Sequence, residues 1–336
     1  MDVIQVEGLT RHFSYFEKAP GLWGSLRSVF ARQHQIRRAV EGVTFAVREG
    51  EIVAFLGPNG AGKTTTLKML AGIMHPSAGD ARVLGHVPWA RPKDFRMRIG
   101  VVMGQRSQLW PDLPALDTFE LNRAIYEIDR RRFTRTLDEL VALFALEGLL
   151  AIPVRRLSLG ERMKLEIAAA LLHDPAVLFL DEPTIGLDLL SQRAIRELIK
   201  QLNERRRTTV MLTSHHLSDV ETLCGRAIVI NHGRIAYDGP LARINETLGT
   251  RKTVTLIFSE PVARTALQGY GPVRAEGHPT ATSHATEVLS VTFEVDRTAV
   301  RDVSRRALAE LPVADLTIEE VPLEDGMARL YERARG

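Results

Sequence analysis

Glu51 to Leu70 reads EIVAFLGPNGAGKTTTLKML: an apolar run of strand length, a glycine-rich turn, then apolar residues at helical spacing. Within it Gly57, Pro58, Asn59, Gly60, Ala61, Gly62, Lys63 and Thr64 fit GxxxxGK[ST], the phosphate loop. Glycines let the backbone turn tightly, so that successive N–H groups point at phosphate oxygens at the positive end of the following helix. Lys63 adds a point charge at the β and γ phosphates, the Thr64 hydroxyl ligates Mg²⁺, and Thr65 stands beside them among the nucleotide contacts. A glycine turn capping an ordinary helix is the competing reading. The strand before the loop and the helix after it leave that reading little weight.

Working outward, AVLFLDEP (residues 176–183) is a second buried strand, ending in Asp181 and Glu182. Adjacent carboxylates at a strand tip point to different sides, one toward a metal and one toward a water. Asp181 is therefore expected to hold Mg²⁺ through its water shell, and Glu182 to polarise the water that attacks the γ phosphate. Strand ends are often acidic for solubility alone. The phosphate loop upstream is what gives the pair its meaning.

The rest of the chain alternates in the same way. Helix at Gly160–His173, strand at AVLFLDE, helix at Leu190–Arg205, then the strands TTVMLTS and AIVI predict a largely parallel α/β sheet. Strands are also expected at Val3–Leu9 and Ala39–Val47, with an insertion between them at about 14–38. There Leu22, Trp23, Leu26, Val29 and Phe30 recur at helical spacing among Arg27, Arg32, Arg37 and Arg38, so an amphipathic helix on a loop is predicted. Its stripe either packs on the domain's own sheet edge, docks on a partner protein, or touches anionic lipid headgroups, to which Arg37 and Arg38 add attraction. Residues 106–156 read as a helical subdomain. Beyond Gly239 the texture changes to KTVTLIF, VLSVTFEV, a helix at Thr298–Leu311, ADLTIEE and a last helix, which predicts a smaller α+β domain at 246–336 after a main domain at 1–245. Gly269–Ala285 is expected to be a loop.

Composition narrows the function classes. The chain has 336 residues, 45% hydrophobic and 25% charged, enough for one large domain and a smaller one. A net charge of +3 argues against a dedicated nucleic-acid binder. One cysteine, Cys224, excludes an internal disulfide framework and a cysteine zinc cage, in keeping with a reducing, cytosolic compartment. No run approaches the roughly 18 apolar residues of a membrane span.

Between the two site strands lies RRLSLGERMKLEIAAALLHDP. Its Ser158, Leu159, Gly160 and Glu161 resemble the signature segment LSGGQ of ATP-binding cassette (ABC) proteins, with Leu159 where Gly is usual and Glu161 where Gln is usual. Ser158 and the N–H groups at Gly160 open a helix, which makes an anion site; a plain helix cap explains Ser158 as well. The resemblance extends in order to Gln105 in VVMGQ, similar to the Q-loop glutamine that meets Mg²⁺, with Gln108 held in reserve. Gly186, Leu187 and Asp188 resemble the D-loop, and His215 in TSHHLSDVE resembles the switch histidine that contacts the γ phosphate, His216 being its neighbour. Phe13 in LTRHF, with Tyr15 as second choice, stands where an aromatic stacks on adenine.

What the resemblance implies is an α/β P-loop NTPase of the ABC ATPase fold: a RecA-like core, a helical subdomain and an antiparallel β subdomain, with the small α+β domain appended. It further implies ATP and Mg²⁺ as ligands, a homodimer that sandwiches ATP between one copy's phosphate loop and the other's signature segment, and a permease on a separate chain at the cytoplasmic face of the cell membrane. GPNGAGKTTT with LEDGMARLYE near the C-terminus resembles the ATPases of ABC-2 type exporters, and the insertion resembles a drug or antibiotic export branch. The main rival is a soluble ABC ATPase acting on nucleic acid or ribosomes, which usually carries paired cassettes or coiled-coil insertions that this sequence lacks. A P-loop GTPase would need NKxD where the chain has INHGR.

Overall fold

The computed structural model describes residues 1–16, 34–104, 107–214, 217–244, 251–277, 287–321 and 325–327. The chain divides into two compact units, Met1–Leu241 and Ala242–Gly336.

In the first unit, β1 (Asp2–Phe16) and β2 (His34–Arg48) form a long antiparallel pair, and β4 (Ala78–Val83) joins the other edge of β1. Residues 14–16 and 34–38, expected as part of a loop-borne helix, are instead the outer rungs of this pair, with Phe13 opposite Arg37 and Ser14 opposite Ile36. Cross-strand backbone pairing takes these rungs, which a single-strand pattern cannot reveal. The apolar stripe Leu22–Phe30 lies outside the described residues.

The second sheet is built on β3 (Ile52–Leu56), β5 (Ile99–Met103), β6 (Val177–Asp181), β7 (Thr209–Thr213), β8 (Arg226–Asn231) and β9 (Arg234–Pro240), in the order β5-β6-β7-β3-β8-β9. All neighbours run parallel except β8 and β9. β6 and β7 are buried at every residue, as continuous apolar runs covered on both faces should be. Helix α1 (Lys63–Leu70) follows β3. Its Leu67 and Leu70 enter one core with Phe55, Phe179, Met211 and Ile228, and with Ile4, Val6 and Phe45 of the antiparallel sheet. The rings of Phe45 and Phe55 lie 5.7 Å apart where the two sheets meet.

Three short or medium helices follow: α2 (Lys93–Met97), α3 (Ala115–Ile125) and α4 (Arg130–Phe144), the last two within the stretch expected to be helical. Asp129 caps α4 by accepting from the N–H groups of Arg131 and Arg132. Then come α5 (Leu159–Leu171), α6 (Leu189–Arg206) and α7 (Leu217–Leu223). In the second unit β10 (Arg251–Ala263), β11 (Val273–Gly277), β12 (Glu287–Asp296) and β13 (Val313–Glu320) form an antiparallel sheet in the order β11-β12-β10-β13. Helix α8 (Val300–Glu310) packs Ala307, Val300 and Val303 on its core around Leu256 and Phe293. Strand β11 falls where a loop was expected, because the Gly/Pro flanks of VRAEG hide a run that pairs with β12.

Candidate nucleotide site

Loops at the carboxyl ends of β3, β6 and β7 converge, which is where open parallel sheets bind ligands. After β3 the chain turns through Gly57–Gly62. A Cβ at Gly57 would sit 2.2 Å from the Ile230 carbonyl oxygen, and one at Gly62, whose φ is +114°, would sit 2.4 Å from that of Ala39. Both positions therefore demand glycine for space, and Gly62 for its backbone angle as well. The Lys63 ammonium donates to the carbonyl oxygens of Gly57 at 2.6 Å and Pro58 at 3.2 Å, so its stem spans the loop. Burial holds its pKa below that of an ordinary lysine, opposed by the charges of Glu182 and then Asp181. An anion bound against this ammonium restores its preference for the charged form.

The two carboxylates at the end of β6 part company. Asp181 is the strand's last residue and is buried; it accepts from the Thr64 hydroxyl at 3.0 and 2.9 Å and from Thr213 Oγ1 at 2.8 Å. Glu182 adopts φ +55°, rare for a side chain larger than glycine, and its N–H donates to Thr213 Oγ1 at 3.0 Å and to the Thr213 carbonyl oxygen at 3.1 Å. That turn brings Glu182, and not Asp181, onto the wall of the large cavity over the phosphate loop. Thr213 thus holds the Asp181 carboxylate and the Glu182 backbone, a role no sequence signal announced.

The cavity holds about 850 Å³ and is lined by Phe13, Arg37, Ala39, Asn59, Gly60, Gly62, Lys63, Thr64, Thr65, Glu182 and Ile185. Phe13, expected as the stacking aromatic, is on its wall, with the Arg11 guanidinium 4.9 Å from the ring centroid. Arg11 is itself anchored by a bond of 3.0 Å to the His75 carbonyl oxygen. The Tyr15 side chain, Gln105, His215 and His216 lie outside the described residues. Gln108 donates from Nε2 to the Val101 carbonyl oxygen at 2.7 Å and lines a separate cavity with Arg96 and Tyr126.

The signature segment and D-loop stand apart from this cavity and against each other. Ser158 caps α5 in a reciprocal box: its Oγ accepts from Glu161 N–H at 3.3 Å, and Glu161 Oε2 accepts from Ser158 N–H and Oγ–H, each at 2.8 Å. These bonds lower the Glu161 pKa, the backbone bond most. Asp188 likewise caps α6, accepting from Leu190 N–H and Ser191 N–H at 3.0 Å and from Ser191 Oγ–H at 2.7 Å. The Ser191 hydroxyl bond is the main reason its pKa is low. A Cβ on Gly160 would meet Ser191 Oγ at 2.4 Å, so glycine there is what lets the two helix starts touch. Ser158, Gly160, Glu161 and Asp188 do not line the cavity over the phosphate loop.

Two buried carboxylates tie the loops together, and the sequence reading passed over both. Asp219, 1% exposed, accepts from Arg196 at 2.9 Å, from Ser214 Oγ at 2.8 Å and from the Thr184 hydroxyl. It therefore joins the loop after Glu182, the residue before His215, and the D-loop helix. Glu166, 3% exposed on α5, accepts from Gln108 N–H at 3.0 Å and from the Ser107 hydroxyl, gripping the segment that follows Gln105. Short polar residues after a strand were the only available signal.

Fold and loop geometry together define a P-loop nucleoside triphosphatase. Comparison with known proteins sharpens this: residues 40–185 match the ABC transporter family profile, and residues 250–319 match the EvrA-like ABC transporter C-terminal domain. The chain is 34% identical over 218 residues to the ABC transporter ATP-binding protein NatA of Bacillus subtilis, covering 65% of this chain and 88% of that one. It is 38% identical to the Nod factor export ATP-binding protein I of Burkholderia orbicola, covering 62% and 69%. Among solved structures, one described as the ATP binding subunit of an ABC transporter superposes with a TM-score of 0.60 at 26% identity, covering 73% of this chain and 93% of that chain. A dimeric ATP-binding cassette in a post-hydrolysis state, bound to ADP and Pi, superposes with a TM-score of 0.58 at 25% identity, covering 70% and 98%. The chain belongs to the ATP-binding subunits of the ABC transporter family, and its activity is ATP hydrolysis. No described helix is long and apolar enough to cross a membrane.

Proposed function

We propose that this chain drives an exporter: it hydrolyses ATP as a homodimer at the cytoplasmic membrane face and powers a permease carried on separate chains. The exported substrate is of a drug, antibiotic, lipid or polysaccharide-like class. The observation that carries the reading is the pairing of a phosphate-loop cavity with a signature segment that lies outside it, so that a second copy is needed to close the site. The names of relatives support export: besides the Nod factor export protein, the daunorubicin/doxorubicin resistance protein DrrA of Streptomyces peucetius is 35% identical, covering 63% of this chain and 64% of that one. None of these relatives speaks for the nucleic-acid rival.

In this reading the phosphate-loop N–H groups and Lys63 bind the phosphates, Phe13 stacks on adenine, and Thr65 joins Gly57, Asn59, Gly60, Ala61 and Gly62 around the tail. The hydroxyl of Thr64 and the carboxylate of Asp181 form a hard oxygen set that fits Mg²⁺, with Gln105 as a third ligand. When bound there, Mg²⁺ would neutralise phosphate charge that develops during the transfer. Glu182, held on the cavity wall by its Thr213 bonds, takes a proton from the attacking water as it closes in line on the γ phosphorus. His215 steadies the same phosphate, and the partner copy's signature segment supplies Ser158, Gly160 and Glu161, with Asp188 beside them. Glu182→Gln keeps shape and removes the base, so turnover should fall roughly 10²- to 10⁴-fold with ATP binding kept. ATP-trapped dimers should appear by light scattering, and a variant that stays monomeric with ATP would count against the sandwich.

A further inference from the structure

Arg37 and Arg38 adjoin in a basic stretch, and the fold gives them different surroundings. Arg38 pairs with Glu41 at 2.9 Å. Arg37, one residue earlier and so on the opposite face of β2, is the register partner of Phe13 and lines the nucleotide cavity. A Cβ at Gly60 would lie 3.1 Å from an Arg37 guanidinium nitrogen, so that group hangs over the crest of the phosphate loop. Among the described residues no hydrogen bond or ion pair engages it, whereas Arg11, Arg38 and Arg234 nearby all have oxygen partners.

A guanidinium is a planar two-pronged donor, weakly hydrated and always charged, whose natural counterpart is a phosphate. Here it stands between the aromatic platform expected to take the base and the N–H groups expected to take the phosphates. We propose that Arg37 is a nucleotide-binding residue, donating to the phosphate chain of ATP from the antiparallel sheet while Lys63 and the loop hold it from the other side. The proposal rests on the reading of this cavity as the ATP site. It also removes Arg37 from the residues expected to meet lipid headgroups, and it gives the β1–β2 pair a direct contact with the nucleotide.

The test is isothermal titration of the full-length chain with Mg·ATP at low and high ionic strength, for Arg37→Ala, Arg38→Ala and Lys63→Ala. Arg37 is exposed, so its removal should leave melting unchanged. Arg37→Ala should weaken ATP roughly tenfold at low salt, about 1.4 kcal/mol, with the deficit shrinking at high salt as an exposed charge contact is screened. Arg37→Lys should recover part of the loss, and Arg38→Ala should bind as wild type does. Unchanged affinity in Arg37→Ala while Lys63→Ala loses binding overturns the proposal alone. An equal loss in Arg38→Ala also overturns it, by showing a general charge effect. Full binding by Lys63→Ala would overturn the phosphate-loop reading, and Arg37's role with it.

Discussion

Replacing Asp219 by alanine should be among the costliest single changes in the first unit. The Asp219 carboxylate is 1% exposed, and its Arg196 partner is 8% exposed, with one remaining bond of 2.9 Å to Ser218 Oγ. Deleting one side of a buried ion pair strands the other charge, at about 3–5 kcal/mol. The Thr184 hydroxyl loses its acceptor too, adding about 1 kcal/mol. A total near 4–6 kcal/mol in a unit of this size lowers melting by about 8–24 °C. The assay is circular dichroism melting of the full chain, following the transition that ATP raises, since a two-unit chain does not melt as one. Asp219→Asn, which keeps one acceptor oxygen, should recover part of the loss. Arg196→Met combined with Asp219→Ala should be less damaging than the sum of the two changes, because no orphan charge remains. Measured well below its melting point, Thr184→Val should lower kcat more than it raises KM, since the hub joins the loops bearing Glu182 and His215 without touching the cavity. Melting of Asp219→Ala within about 2 °C of wild type would refute the reasoning.

Gly160→Ala forces a Cβ to 2.4 Å from Ser191 Oγ and should lower ATP turnover several-fold by prising the signature segment from the D-loop; Gly160→Ala with Ser191→Gly should restore it, as read by phosphate release. His173 is buried, with Nε2 2.8 Å from the Ile99 carbonyl oxygen and its ring stacked 3.9 Å from that of Tyr126, and burial lowers its pKa. A histidine with a depressed folded pKa binds fewer protons folded than unfolded, so its contribution is complete above the ordinary value near 6.5 and falls as pH drops below it. Urea midpoints between pH 7.5 and 5.5 should therefore decline with a slope approaching one proton, and His173→Gln should flatten that slope even though it is less stable throughout.

By itself the sequence determined the elements that chemistry forces into short spans. A phosphate loop needs its glycines, lysine and threonine consecutively, and a buried parallel strand needs an unbroken apolar run, so GPNGAGKT and AVLFLDE were legible without coordinates. One helix cap was legible for the same reason, because Ser158 acts on a residue three positions along, whereas Asp188 was read only as part of the D-loop and its cap emerged with the structure. The tertiary structure decided what depends on distant partners. Only the pairing of β1 with β2 turns residues 34–38 from a loop into a strand and carries Arg37 to the phosphate loop. Only the parallel register of β6 with β7 sets Thr213 between Asp181 and Glu182 and gives the two acids different surroundings. Asp219 and Glu166 read as ordinary helix residues until packing buries each among donors from segments 5 to 59 positions away. Local rules act through covalent neighbours and can be read along a line, whereas a buried polar group is defined by whatever the folded chain places around it.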